Sequence, residues 1–302
     1  MTRALTAIAS LVCLALAALG MTACSPLALF DAIGPRDAGG RQALKNQPFG
    51  PNPRQRLDVF VPVSAPETAP VLVFFYGGSW QSGAKEDYAF VGQALAAQGF
   101  VTVVPDYRLY PEVQFPGFLE DGAAAIAWVR DNIAAYGGDP RRIVLAGHSA
   151  GAYNAVMLGL DPHYLRSAGV DPKVVRAVAG LSGPYDFLPF DQETAQRVFG
   201  QAPDPAATQP VAFVGPHSPP AFLATGAADT VVRPRNTQSL AAKLRAARVP
   251  VQERIYPGLD HSDTLLALSV TFRSKAPALA EMAAFLQGQA NPRVQAAARA
   301  RP

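Results

Sequence analysis

The chain has 302 residues, of which 49% are apolar and 16% are charged, and its formal net charge is +3. This composition predicts a well-buried core and argues against a disordered chain. No block of lysine and arginine is dense enough to indicate a nucleic-acid surface, so we expect no nucleic-acid partner.

Residues 1–23 are typical of an export signal, because a positive start at Arg3 precedes an almost unbroken apolar stretch over residues 4–20. The following residues, Met21-Thr22-Ala23-Cys24, resemble the lipobox of bacterial lipoproteins. The resemblance implies that Cys24 is lipidated and becomes the first residue of a membrane-anchored mature protein. Ser25 after it implies the periplasmic face of the outer membrane. An ordinary cleaved signal and an uncleaved membrane anchor are the alternatives.

Cysteine usage agrees with export. The chain has two cysteines, Cys24 and Cys13, and Cys13 lies inside the apolar stretch. The processed protein would therefore contain no disulfide and no thiolate metal site. We expect residues 24–53 to form a tether and approach segment, residues 54–290 a single folded domain, and residues 291–302 a flexible tail.

Strand and helix patterns alternate through the folded domain. Continuous apolar runs predict strands buried on both faces, and periodic segments that end at glycine predict helices. The predicted strands are 57–61, 70–75, 100–105, 143–146, 175–181, 221–225 and 251–256. The predicted helices are 88–98, 119–136, 152–160, 237–247 and 277–287. This order predicts an α/β fold with a mostly parallel central sheet and helices on both faces. In such sheets the functional site lies at the carboxyl ends of the strands.

One interval, 184–220, departs from this alternation. It is rich in proline and phenylalanine, with only a short possible helix at 193–199. A connection of this length between two core strands is unusual and tends to be functional. We expect it to form a small cap over the active site, and an ordinary surface excursion is the alternative.

The sequence Gly147-His148-Ser149-Ala150-Gly151 follows the predicted strand 143–146 and precedes a helix. In this G-x-S-x-G pattern the glycines allow a sharp turn that raises the serine hydroxyl above the sheet. We therefore predict that Ser149 is a nucleophile and that Gly147 and Gly151 shape its turn. The pattern is short enough to occur by chance, so its partners must be found elsewhere in the chain.

A serine nucleophile needs a base and an acid that orients the base. When the nucleophile lies on such a turn, the chain order is serine, acid, histidine. His261 follows the last predicted strand and is the histidine that fits this order, whereas His148, His163 and His217 do not. Asp229, directly after the strand 221–225, is the predicted acid.

Asp186 is the competing acid, and Asp260 neighbours His261 in the chain but is expected to point elsewhere.

Acyl transfer also requires donors for the oxyanion. One should be the backbone N–H of Ala150, and the others should come from the glycine-containing loop after the strand 70–75.

Two further motifs carry a family resemblance. Tyr76-Gly77-Gly78-Ser79-Trp80 resembles the His-Gly-Gly-Gly-Trp oxyanion loop of carboxylesterases related to hormone-sensitive lipase, and of their methylesterase and kynurenine formamidase relatives. Residues 106–112, Asp-Tyr-Arg-Leu-Tyr-Pro-Glu, resemble the same group's Asp-Tyr-Arg-Leu-Ala-Pro-Glu. The likeness extends over about residues 57–286. It implies an α/β-hydrolase fold in which Gly78, Ser79 and Ala150 donate to the oxyanion and Gly77 shapes the loop. Tyr76, where the relatives have histidine, is the departure.

These residues predict a serine hydrolase, most simply a carboxylesterase that acts on small-molecule esters through an acyl-enzyme without a metal or organic cofactor. An arylformamidase-type amide hydrolase is one alternative, which the shared loop motif favours. A non-catalytic binding lipoprotein on a hydrolase fold is another, although such a protein has no chemical need for the complete set of serine, acid and histidine.

Overall fold

The computed structural model describes residues 26–64 and 68–291. Its centre is an eight-stranded sheet with the order β1-β2-β4-β3-β5-β6-β7-β8. The strands are β1 Gly40–Pro48, β2 Arg56–Pro62, β3 Ala69–Phe75, β4 Val101–Pro105, β5 Gly138–His148, β6 Val175–Leu181, β7 Ala221–Gly226 and β8 Val251–Tyr256. β2 pairs antiparallel with β1 and β4, and the remaining pairs are parallel. The prediction of a mostly parallel α/β sheet is confirmed.

Helices cover both faces of this sheet. The α-helices are α1 Pro26–Ile33, α2 Ala89–Ala97, α3 Gly117–Asn132, α4 Ala150–Leu160, α5 Pro162–Ser167, α6 Glu193–Phe199, α7 Arg235–Ala246, α8 Asp263–Leu266 and α9 Ala278–Ala290. α2 and α9 contact one another and the sheet, whereas α3 and α4 form a second contacting group that also packs on the sheet. The central strands β3, β4 and β6 are almost wholly buried between these layers, which explains their continuous apolar sequences.

The prediction that residues 24–53 form a tether is wrong for most of that segment. β1 is the edge strand of the sheet, and Phe30 of α1 packs against the rings of Phe90 and Phe272. An edge strand need not be apolar, and β1 reads Gly-Arg-Gln-Ala-Leu-Lys-Asn-Gln-Pro with mostly exposed or half-buried side chains. Its sequence therefore lacks the apolar run by which the other strands were predicted.

The predicted signal segment 1–23, Cys24 and the tail beyond residue 291 lie outside the described residues. In the described part of the chain, no helix has both the length and the apolar character that crossing a bilayer requires.

The register of the sheet brings the carboxyl ends of its parallel strands to one edge. Phe75 at the end of β3 pairs with Gly147 in β5, and His148 at the end of β5 pairs with Leu181 at the end of β6. Gly226 at the end of β7 pairs with Tyr256 at the end of β8. The loops that leave these strands therefore meet at a single edge, as expected for a site in a parallel sheet.

Candidate active site

Ser149 occupies the turn between β5 and α4. Its backbone has φ +55° and ψ −123°, a strained conformation for a residue with a side chain. A Cβ on Gly147 would overlap the carbonyl of Gly151, and a Cβ on Gly151 would overlap the carbonyl of Phe75. Both glycines are thus required where the helix passes close to the sheet, and the turn holds Ser149 at the sheet edge.

His261 lies between Ser149 and Asp229. Its Nε2 is 2.9 Å from the Ser149 Oγ, and its Nδ1 is 2.9 Å from the Asp229 Oδ2. These residues follow the ends of β5, β7 and β8, and His261 lies 112 positions after Ser149 and 32 positions after Asp229 in the chain. The structure therefore brings the three predicted residues together in the hydrogen-bonding order that a nucleophile, a base and an orienting acid require.

The surroundings of Asp229 keep its carboxylate charged. Burial raises the pKa of Asp229, but the hydrogen bond and the charge of His261 outweigh that effect and hold the pKa below its usual value. Its other oxygen, Oδ1, accepts the backbone N–H groups of Val231 and Val232 at 3.0 and 2.8 Å. The side chain is fully buried, so the charge faces His261 rather than water.

The competing residues are engaged elsewhere. Asp186 accepts a hydrogen bond from Ser239, and Asp260 caps the amide of Asp263 at 2.9 Å. His163 pairs with Asp161 at 2.8 Å, at the start of α5. None of these contacts involves Ser149 or His261.

Sequence reasoning missed a set of residues that holds the backbone of His261. His148 donates from Nε2 to the His261 carbonyl oxygen at 2.9 Å, and the Thr264 hydroxyl donates to the same oxygen at 3.1 Å. Because a carbonyl only accepts, Nε2 of His148 must carry the proton. Behind them, the buried Ser182 hydroxyl lies 3.0 Å from that of Thr264. His148 does not fit the chain order expected of the base, and its place beside Ser149 gives it this contact instead.

His148 stays neutral in the folded protein. Burial and repulsion from His261 lower the pKa of His148 to about 3 from an ordinary value of 6.5. Its Nδ1 is buried and has no hydrogen-bond partner among the described residues. A proton would be poorly accommodated here, so the imidazole acts only as a neutral donor.

This depressed pKa predicts a loss of stability in acid. Below pH 6.5 the unfolded chain binds a proton at His148 that the folded chain takes up only near pH 3, so the free energy of unfolding falls as the pH falls through this range. His148→Gln should reduce the difference in unfolding free energy between pH 7.5 and pH 5 by up to about 2 kcal/mol. Urea titrations at the two pH values measure it. His217→Gln, at an exposed position, is the control for the loss of a histidine as such. If His148→Gln leaves the difference between the two pH values unchanged, burial does not suppress protonation of His148.

The predicted oxyanion loop approaches Ser149 from the end of β3. Ser79 and Ala150 line the same cleft as Ser149. A Cβ on Gly77 would lie 3.1 Å from the Ser149 Cβ, so a side chain at that position would crowd Ser149. Gly78 has φ +124°, and its carbonyl accepts the amides at positions 81 and 82. Gly78 is not among the residues that line the cleft, and its observed contribution is to the shape of the loop.

Tyr76 anchors this loop. Its hydroxyl donates to Asp106 at 2.7 Å and accepts from Arg54 at 2.9 Å. Its ring stacks between those of Tyr107 and Tyr88, with centroid distances of 4.8 and 5.3 Å. The phenol thus fixes the start of the loop through a buried carboxylate and two aromatic neighbours, at the position where the resembling enzymes have histidine.

A cleft of about 900 Å³, including the space open to solvent, extends from Ser149. One wall is formed by residues 230–236 and the other by the interval 184–220, which was predicted to form a cap. The part of this interval that lines the cleft is Pro184, Phe187, Asp191, Gln192, Thr194 and Ala195. The predicted short helix is present as α6.

Within residues 26–64 and 68–291, no cluster of three or more histidine, cysteine or acidic side chains is arranged to hold a metal.

Known proteins resemble this chain over most of its folded part. The family model BD-FAE matches residues 57–244. Esterase LipC of Mycobacterium tuberculosis is 34% identical over 240 residues, which cover 72% of this chain and 59% of the relative. A probable isoprenylcysteine alpha-carbonyl methylesterase of Oryza sativa, ICMEL1, is 30% identical over 251 residues, 74% of this chain and 58% of the relative. The chain thus spans less than two thirds of the length of these two relatives.

Solved structures share the fold. Esterase B from Lactobacillus rhamnosis superposes with a TM-score of 0.77 at 19% identity, covering 98% of each chain. A truncated carbohydrate esterase from gut microbiota superposes with a TM-score of 0.72 at 21% identity, covering 85% of this chain and 99% of the other. The predicted α/β-hydrolase fold is confirmed by this likeness.

Proposed function

Because the chain belongs to the BD-FAE family and has the α/β-hydrolase fold, we propose that it is a serine hydrolase that cleaves carboxylic esters of small molecules through an acyl-enzyme. The observation that best supports the proposal is the pair of 2.9 Å contacts that His261 makes with Ser149 and Asp229. The sequence likeness to esterases supports the ester as the substrate class.

The reaction begins at Ser149. Its Oγ forms a bond to the ester carbonyl carbon while its proton passes to Nε2 of His261. The charged imidazolium is stabilised by Asp229, whose carboxylate also fixes the Nδ1 proton. His261 then returns the proton to the leaving alcohol as the ester C–O bond breaks. A water molecule attacks the acyl-enzyme in the same way, and Ser149 is regenerated.

The negative charge that develops on the carbonyl oxygen needs donors. We assign this role to the backbone N–H groups of Ala150 and Ser79, which flank Ser149 in the cleft. The family resemblance adds Gly78. Each donor of this kind contributes about 100- to 1000-fold in rate.

Labelling with a fluorophosphonate probe, together with a substrate panel, tests the proposal. The panel combines 4-nitrophenyl esters of increasing acyl length with N-formylkynurenine. The esterase proposal predicts labelling at Ser149 and faster turnover of esters. Faster turnover of the formamide would favour the arylformamidase alternative. An unlabelled, inactive protein would favour a binding lipoprotein on a hydrolase fold.

We also propose that the protein is a lipoprotein anchored through Cys24 at the periplasmic face of the outer membrane, on the strength of its lipobox-like sequence alone. In a Gram-negative host, Cys24→Ser should move the full-length chain from the membrane fraction to the soluble fraction, as measured by fractionation and immunoblotting. Membrane association that persists in this variant would contradict lipidation at Cys24.

A further inference from the structure

Two arginines line the cleft that contains Ser149. Arg233 and Arg235 both lie in the wall 230–236 that directly follows Asp229, and both are exposed to solvent. Neither guanidinium forms an ion pair or a hydrogen bond with the residues the structure describes. Arg108, by contrast, is neutralised by Asp121 at 2.8 Å. The cleft therefore presents two positive charges that the fold leaves available.

The backbone that carries these arginines is held in place. Asn236, at the start of α7, is 6% exposed, and its Oδ1 accepts the backbone N–H groups of Tyr185 and Asp186 at 3.0 and 2.9 Å. These two residues follow Pro184 of the opposite wall. The side chain of Asn236 thus ties the two walls together beside the arginines and fixes the width of the cleft at that point.

The other charges in the cleft do not cancel this pair. Asp191 is the acidic residue among the lining side chains, and it forms no ion pair with the described residues. The lining also includes the aromatic side chains of Trp80 and Phe187. A molecule that fills the cleft would therefore meet aromatic surface as well as a net positive charge along one wall.

We propose that the cleft binds esters whose acyl or alcohol portion carries a carboxylate, and that Arg233 and Arg235 pair with that carboxylate. A guanidinium presents a planar fork of N–H donors that matches a carboxylate geometrically. The excess of positive charge in the cleft, two arginines against Asp191, also raises the local concentration of a negatively charged substrate. The inference rests on the proposed esterase function and adds a substrate class to it.

Matched ester pairs test the inference on the full chain. In the first pair, mono-4-nitrophenyl adipate carries a carboxylate on its acyl side and 4-nitrophenyl hexanoate is its neutral partner. In the second pair, 4-acetoxybenzoate carries the carboxylate on its alcohol side and methyl 4-acetoxybenzoate is its neutral partner. The measured quantity is the ratio of kcat/KM for the anionic ester to that for its neutral partner. The double variant Arg233→Gln/Arg235→Gln should lower this ratio at least about fivefold in one of the two pairs.

Lys243→Gln is the control, because it removes a positive charge from α7, the helix that begins at Arg235, without altering the cleft lining. It should leave both ratios unchanged. Ratios that the double variant does not lower, or that Lys243→Gln lowers equally, overturn the inference. If Ser149-dependent hydrolysis of all four esters is absent, the proposed function itself fails, and this outcome is distinct from hydrolysis without charge preference.

Discussion

Ser149→Ala is expected to lower kcat for ester hydrolysis by about 10⁴- to 10⁶-fold. The substitution removes the hydroxyl oxygen, which is the only atom of the side chain that can form the acyl bond. The backbone of the turn between β5 and α4 should keep its conformation. Substrate should still bind in the cleft, so KM should change far less than kcat. Steady-state hydrolysis of a 4-nitrophenyl ester, with active-site concentration checked by titration of the wild-type protein, gives both values.

Ser218→Ala is a suitable control for this variant, because Ser218 lies outside the residues that line the cleft. It should retain near wild-type kcat. Circular dichroism should show that Ser149→Ala is folded, since alanine fits wherever serine does. Turnover by folded Ser149→Ala within tenfold of the wild type would rule out Ser149 as the nucleophile.

Asp229→Asn is expected to lower kcat by about 10³- to 10⁴-fold. Asparagine can still accept the amides of Val231 and Val232 through its carbonyl oxygen, which leaves its NH₂ group facing Nδ1 of His261. The imidazole must then accept at Nδ1 and carry its proton on Nε2. In that tautomer Nε2 cannot take the proton of Ser149.

Asp186→Asn provides the matched control, because it neutralises the competing acid, which the structure shows bonded to Ser239. Its kcat should stay within about threefold of the wild type, as measured on the same ester. If Asp186→Asn proves as damaging as Asp229→Asn, or more so, the assignment of the orienting acid is incorrect.

The sequence was sufficient for the features that depend on local pattern and chain order. Buried parallel strands can be recognised in the sequence as apolar runs, and the carboxyl ends of these strands lie at one edge of the sheet. For that reason Ser149, Asp229 and His261 could be predicted to lie together although they are far apart in the chain. Gly147 and Gly151 could be predicted because the sharp turn demands residues without a Cβ.

Other features depend on contacts that no local pattern records. The polar edge strand β1 carries no apolar signature, so its residues read as a tether. The bond from His148 to the carbonyl of His261 joins residues 113 positions apart, and nothing in either local sequence indicates it. That Arg233 and Arg235 face the cleft follows from the path of the loop after Asp229, and Asn236 holds that path through a contact with the opposite wall.

The central claim is that the ester's acyl group is transferred to Ser149. Acid quenching within milliseconds of mixing with a 4-nitrophenyl ester, followed by peptide mass mapping, tests it directly. The account predicts a burst of nitrophenol close to one equivalent per protein and an acyl group on the peptide that contains Ser149. Turnover in the linear phase with no acylated peptide, or with the acyl group on a different residue, would contradict it.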